Sequence, residues 1–397
     1  MKLHLTALTL LLALSGGAQA MSHGEYIARA ADCAACHTAE NGAPLAGGLK
    51  FATPVGDIYA TNITPDAQQG IGSYSFADFE RAMRQGVAKD GHHLYPAMPY
   101  TAYAKMSEAD LRALYDYLMH EVTPQPVANR DADIPWPLSM RWPLALWNRL
   151  FHQEARWRPQ PQQSAQLNRG AYLVEGPGHC GSCHTPRGWA MQEQALDNRD
   201  ARYLSGAELD GWYAPSLRGL PPEETVALLR SGRSAHAAVA GPMGEVVRHS
   251  TQYLTDDDRQ AIAAWLHSLP ANTSSAAAMP TAGAMQAGQQ TYAMYCATCH
   301  GGDGEGVPGV IPRLAGNGAL RAENPLTALR VVLEGAQTPT TDHDIAQTMP
   351  GYGWTLSDRQ AADLMSYLRG SWGNQAAPVS EQQVRDARAL SDKAEQR

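Results

Sequence analysis

Three copies of a five-residue motif, Cys-x-x-Cys-His, constrain this chain more than any other feature of its 397 residues. They are Cys33-Ala-Ala-Cys36-His37, Cys180-Gly-Ser-Cys183-His184 and Cys296-Ala-Thr-Cys299-His300, and together they use all six cysteines. None is left for a structural disulfide. A zinc site and a thioredoxin-like redox pair also use two cysteines at this spacing. The first, however, wants a second ligand pair at a regular distance, and the second has no use for the histidine. Two thiols beside an imidazole suit a covalently attached haem, with thioethers to the porphyrin and the histidine as proximal iron ligand. The chain is expected to carry three.

Covalent haem attachment takes place outside the cytoplasm, and the N-terminus agrees. Met1-Lys2 precedes an apolar run from Leu3 to Leu14, and Ala18-Gln19-Ala20 fits a small-residue cleavage site. Residues 1–20 therefore read as a signal peptide. The run is too short for a permanent transmembrane anchor, and no later stretch is apolar enough to span a bilayer. The formal net charge of −8 argues against a nucleic-acid partner, which would need a basic face.

The motifs head three copies of one plan. Gly24 and Tyr26, Gly170 and Tyr172, and Gly288 and Tyr292 stand on predicted helices just before the cysteines. The glycine would let a second helix cross closely, and the tyrosine would pack beside the haem. Each copy closes with a helix opened by a Ser or Thr cap and an acidic first turn, in residues 107–118, 255–266 and 357–368. Ten residues after each cap stand Tyr117, Trp265 and Tyr367, each followed by leucine. Between motif and closing helix runs a long irregular loop, which a haem could fill as a core.

Each loop offers one methionine in a Gly/Pro-rich setting: Met98, Met243 and Met349. A thioether on the far haem face would raise the iron's potential and leave no open position. Loop histidines are the alternative sixth ligands: His92 and His93, His236 and His249, and His343. Residues 134–151, "IPWPLSMRWPLALWNRLF", form an aromatic segment edged by Arg141 and Arg149. It suits a bilayer interface or a hydrophobic subunit, or equally a linker packed between two units, because three prolines oppose a regular amphipathic helix. Residues 271–286 read as a flexible tether, and the tail from Gln375 could be helical but shows no strong apolar face.

Each unit resembles a class I cytochrome c domain, which implies a mainly α fold with crossing terminal helices. The order of all three resembles the triheme cytochrome c subunit of membrane-associated bacterial dehydrogenases, of the gluconate, sorbitol, fructose and quinohaemoprotein alcohol dehydrogenase types. The matching stretches are "CAACHT", "YATNITPD" (59–66), "RWPLALWNRLF" (141–151), "RGAYLVEGPGHCGSCHTPRG" (169–188), "HSTQYL" (249–254) and "MPGYGW" (349–354).

The resemblance implies domains at 21–123, 166–270 and 285–374, with a Pro/Trp-rich linker at 124–165, a flexible linker at 271–284 and a polar tail at 375–397. It implies three haem c groups held by the six cysteines, with His37/Met98, His184/Met243 and His300/Met349 on iron. Pro312 resembles the proline whose carbonyl accepts from the proximal histidine. A catalytic subunit using FAD or PQQ, with a small third subunit, would supply electrons for ubiquinone at the periplasmic face of the inner membrane. A strongly amphipathic C-terminal anchor, present in some members, is lacking. The other readings are a free periplasmic shuttle to a terminal oxidase and a multihaem peroxidase. No dinucleotide, nucleophile-elbow or zinc-protease motif suggests a catalytic site of the chain's own.

Overall fold

The structure is a computed structural model that describes residues 20–272 and 278–395. All but the last residue of the expected signal peptide, and residues 273–277 of the expected tether, lie outside the described residues. The rest repeats one order of elements three times. An entry helix (His23–Ala30, Ala165–Glu175, Ala282–Tyr295) leads to a short helix carrying the motif (Cys33–His37, Gly181–His184, Ala297–His300), and a closing helix ends each repeat (Glu108–His120, Asp256–Ser268, Asp358–Gly370).

Local chemistry explains these ends. Ser107, Thr255 and Ser357 accept from the N–H groups of Asp110, Asp258 and Gln360, satisfying donors that a helix start leaves unpaired. Entry and closing helices cross in every repeat at the expected glycine. A Cβ on Gly24, Gly170 or Gly288 would fall 2.2, 2.0 or 2.2 Å from the carbonyl oxygen of Ala113, Ala261 or Asp363. Tyr117, Trp265 and Tyr367 pack at the same crossings.

Each crossing nucleates its own apolar core. Ile27, Met106, Leu111 and Leu114 are fully buried in the first, and Leu173, Val174 and Trp265 lie in the second. Leu329, Leu364 and Met365 lie in the third. A leucine so buried contributes about 1.5–3 kcal/mol.

The long loops are less irregular than expected. Each carries a small antiparallel hairpin (Lys50–Thr53 with Gly56–Tyr59, Ala207–Leu209 with Trp212–Ala214, Gly335–Gln337 with Thr348–Pro350). Each also carries a helix, Phe76–Gln85, Pro222–Ser231 or Leu326–Glu334. These helices stop at Gly86, Gly232 and Gly335, whose φ of 62°, 76° and 85° favours glycine.

Three further expectations are corrected. Residues Pro143–Phe151 do form a helix, because Pro143 occupies its first turn, where its missing N–H costs nothing. The tether is shorter than expected, since Thr281 caps a helix from Ala282. The polar tail forms the helix Glu381–Glu395, as the sequence allowed, but it does present an apolar face, with Val384 and Ala387 fully buried in the third core. Among the described residues no helix is long and apolar enough to cross a membrane.

The Pro143–Phe151 helix has two faces. Its Asn148 joins the first repeat, accepting from the Tyr100 hydroxyl at 2.7 Å, while Trp147 Nε1–H donates to the Ala190 carbonyl of the second repeat at 2.9 Å. The other face is open: Trp142 is 69 % and Leu150 62 % exposed, beside Trp136 at 80 % and Trp189 at 88 %.

Candidate haem-binding sites

The six cysteines are unbridged. Cys33, Cys180 and Cys296 lean on the first, second and third cores respectively. One helical turn carries each pair, so the two sulfurs face the same side, with the histidine one residue on. Burial pushes the thiols of Cys33, Cys36 and Cys180 up to about 12 and that of Cys296 up to about 11, so they are neutral in the unattached chain. Among the described residues no group of three or more His, Cys, Asp and Glu side chains is placed to hold a metal ion.

The three motif histidines are alike in charge and two of them in their hydrogen bonds. Burial holds each imidazole below its ordinary pKa, hence neutral at pH 7. His37 Nδ1 lies 2.6 Å from the Thr61 carbonyl and His184 Nδ1 lies 2.7 Å from the Pro215 carbonyl. A carbonyl only accepts, so Nδ1 carries the proton and Nε2 keeps its lone pair. The Pro312 carbonyl acts on His300 in the same sense, but Nδ1 there falls short of hydrogen-bond geometry. A neutral imidazole, oriented through Nδ1 and free at Nε2, is what iron requires of a proximal ligand. The residues present therefore fit the haem. Thr61 and Pro215 escaped the sequence reading, although a signal exists: both follow a Tyr-Ala pair that ends the second strand of a hairpin, at 59–60 and 213–214.

The methionines differ among themselves. Met98, in a turn where its N–H donates to the Tyr95 carbonyl at 3.1 Å, packs on the first core with Cys33 and Ala34. Met349 lies on the second strand of the third hairpin and packs on the third core with Cys296 and Ala297. Met243 was expected in a loop. It lies instead in the first turn of the helix Pro242–His249, where Pro242 starts the helix. That helix packs against Cys33–His37 of the first repeat, and Met243 is absent from the second core.

Three of the alternative histidines already hold carboxylates: His92 with Asp90 at 2.5 Å, His236 with Glu224 at 2.6 Å and His249 with Glu245 at 3.2 Å. His93 Nδ1 lies 3.5 Å from Asn148 Nδ2, and the backbone N–H of His343 donates to Thr341.

The family described as Cytochrome c matches residues 21–121 and 285–372. The gluconate 2-dehydrogenase cytochrome c subunit of Pantoea cypripedii is 47% identical over 380 residues, covering 90% of this chain and 86% of the relative. The cytochrome c subunit of the quinone alcohol dehydrogenase of Gluconacetobacter polyoxogenes is 47% identical over 376 residues, covering 89% and 80%. Its counterpart from Gluconobacter oxydans is 44% identical over 380 residues, covering 90% and 79%.

Proposed function

The chain belongs to the cytochrome c family as a relative of dehydrogenase cytochrome c subunits, and from that premise we propose that it is a three-haem electron carrier. It takes electrons from a flavin- or PQQ-dependent catalytic subunit that oxidises an alcohol, sugar or sugar acid, and passes them to ubiquinone. The observation that carries this reading is the shared state of His37, His184 and His300, neutral and with no hydrogen bond on Nε2 among the described residues.

Each cysteine pair would anchor one haem c, with Met98, Met243 and Met349 as sixth ligands. The bound haem supplies one-electron chemistry. The chain's part would be to fix the imidazole tautomer and to offer each iron a methionine thioether, which would leave no vacancy for a substrate. The open aromatic face of residues 136–151 is the surface we assign to the periplasmic side of the inner membrane, where tryptophans favour the headgroup level.

A pyridine haemochrome count with oxidised and reduced spectra tests the proposal. Three covalent haems and no binding of carbon monoxide are expected, together with co-purification of a stoichiometric dehydrogenase subunit. A haem open to ligands would favour a peroxidase, and a lone soluble chain would favour a shuttle.

A further inference from the structure

The three closing helices begin alike but complete their caps differently. In Asp358–Gly370 the box closes on itself, the Ser357 N–H donating to Gln360 Oε1 at 3.0 Å. In the other two, Asp110 and Asp258 take the place of Gln360, and neither accepts the capping residue's N–H. The Ser107 N–H donates instead to the hydroxyl of Tyr172 at 3.1 Å, and that hydroxyl donates to Asp110. The Thr255 N–H donates to the hydroxyl of Tyr26 at 3.2 Å, and that hydroxyl donates to Asp258. Tyr172 stands on the second entry helix and Tyr26 on the first. Each of the first two repeats therefore caps the closing helix of the other.

The reciprocity extends further. Three residues before each tyrosine a basic side chain joins the carboxylate of its own repeat's closing helix, so each carboxylate is held from both repeats at once. His23 Nε2 lies 2.8 Å from Asp110, and Arg169 donates to Asp258 at 2.8 and 2.6 Å. The third repeat has Gln289 at this place, and its Tyr292 hydroxyl turns to its own Gly301 carbonyl at 2.5 Å.

The same exchange brings two motifs together. Asp32 and His179, each immediately before a cysteine, both adopt left-handed backbone, φ 53° and 36°. The Ala31 carbonyl accepts from the Tyr103 hydroxyl at 2.7 Å, and the Tyr103 and His179 rings lie 5.5 Å apart. In the third repeat the residue before the cysteine, Tyr295, is ordinary helix.

We propose that Tyr26 with Asp258, and Tyr172 with Asp110, are positioning residues that lock the first two haem-binding motifs into one rigid, pseudo-two-fold redox pair from which the third stands apart. The inference rests on the three-haem reading. Within the pair one iron gains the electron that the other loses, and no proton, bond or further reactant takes part.

Circular dichroism in the Soret band of the full, haem-loaded chain tests it, because two haems held close and at a fixed angle give a bisignate couplet. The couplet is expected in the wild-type chain. It should survive Cys296→Ser/Cys299→Ser and be lost in Cys180→Ser/Cys183→Ser. The double variant Tyr26→Phe/Tyr172→Phe should lose couplet amplitude at unchanged haem count and unchanged methionine-to-iron band, a change that loss of stability alone does not produce. A three-haem chain without a couplet, a couplet that needs the third motif, or an unaltered couplet in the double variant would overturn the pair. A haem count below three strikes the functional reading separately, and the pair then stands or falls on whether a chain loaded at the first two motifs gives the couplet.

Discussion

The substitution Gly170→Ala puts the helix crossing of the second repeat under direct load. A Cβ there would lie 2.0 Å from the Ala261 carbonyl oxygen and 2.8 Å from the Trp265 Cβ, whereas ordinary contact begins at 3.4 Å. The deficit is about 1.4 Å, and it is met by backbone on a 13-residue helix, which cannot swing aside as a side chain can. Relief requires the two helices to part, opening the joint around Trp265, which is 1 % exposed. Overpacking of this kind costs about 1–3 kcal/mol or more, and the better helix propensity of alanine returns about 1 kcal/mol. The net loss should be about 2 kcal/mol, a fall in midpoint of roughly 2–3 °C for a chain of this size unfolding as one unit. Thermal unfolding of the haem-loaded protein, followed in the Soret band, measures it. Gly283→Ala is the control, because nothing lies within 4 Å of the added methyl, and it should not lower the midpoint. A Gly170→Ala protein that melts at or above the wild-type temperature would refute the steric argument.

Arg369 is 1 % exposed and donates to the Leu320, Ala322 and Ala377 carbonyls at 2.9, 2.9 and 2.8 Å, so Arg369→Met should cost about 3 kcal/mol in denaturant unfolding. Burial pushes the Asp258 carboxyl up, but its bonds with Arg169 and Tyr26 prevail and hold it below the ordinary carboxylate range. A depressed folded pKa gives stability that is present above the unfolded value of about 3.9 and lost as pH falls through the folded value. Asp258→Asn should therefore be less stable at pH 7 and should lose less between about pH 4 and pH 2 than wild type, as read from acid titrations of melting. Met98→Ala and Met349→Ala should each remove about a third of the methionine-to-iron band near 695 nm, and an unchanged band would remove that residue from the iron.

Much of the fold could be read from local chemistry. Glycine before each motif, and a capped helix with an aromatic ten residues on, are short-range signals repeated three times, and the helices cross where those signals place them. The misreadings arose where a residue acts through distant partners. Asp110 and Asp258 look like ordinary first-turn acids, and nothing nearby marks them as receivers of a tyrosine from another repeat. The tail from Gln375 looked polar because only Val379, Val384, Ala387 and Leu390 reach the third core. Three prolines argued against a helix in residues 134–151, yet only Pro143 falls within it, at the one end where proline is welcome. Met243 stands in a Gly-Pro context that reads as a turn but here begins a helix, because proline's fixed φ suits a first turn as well as a loop.

The crossed caps also decide how the polypeptide can be put together and taken apart. Synthesis delivers Ser107 well before Tyr172 and Tyr26 long before Thr255, so neither of the first two repeats can be finished while the other is missing. The third repeat supplies its own Gln360 and owes them no cap. Removing it leaves no closing helix with an unmet N–H, whereas removing either of the others strips a partner from the survivor. In capping, then, the first two repeats form one unit, whereas the third borrows no cap and is joined to the second through contacts such as Thr327 with Tyr213 and Arg330 with Gly211.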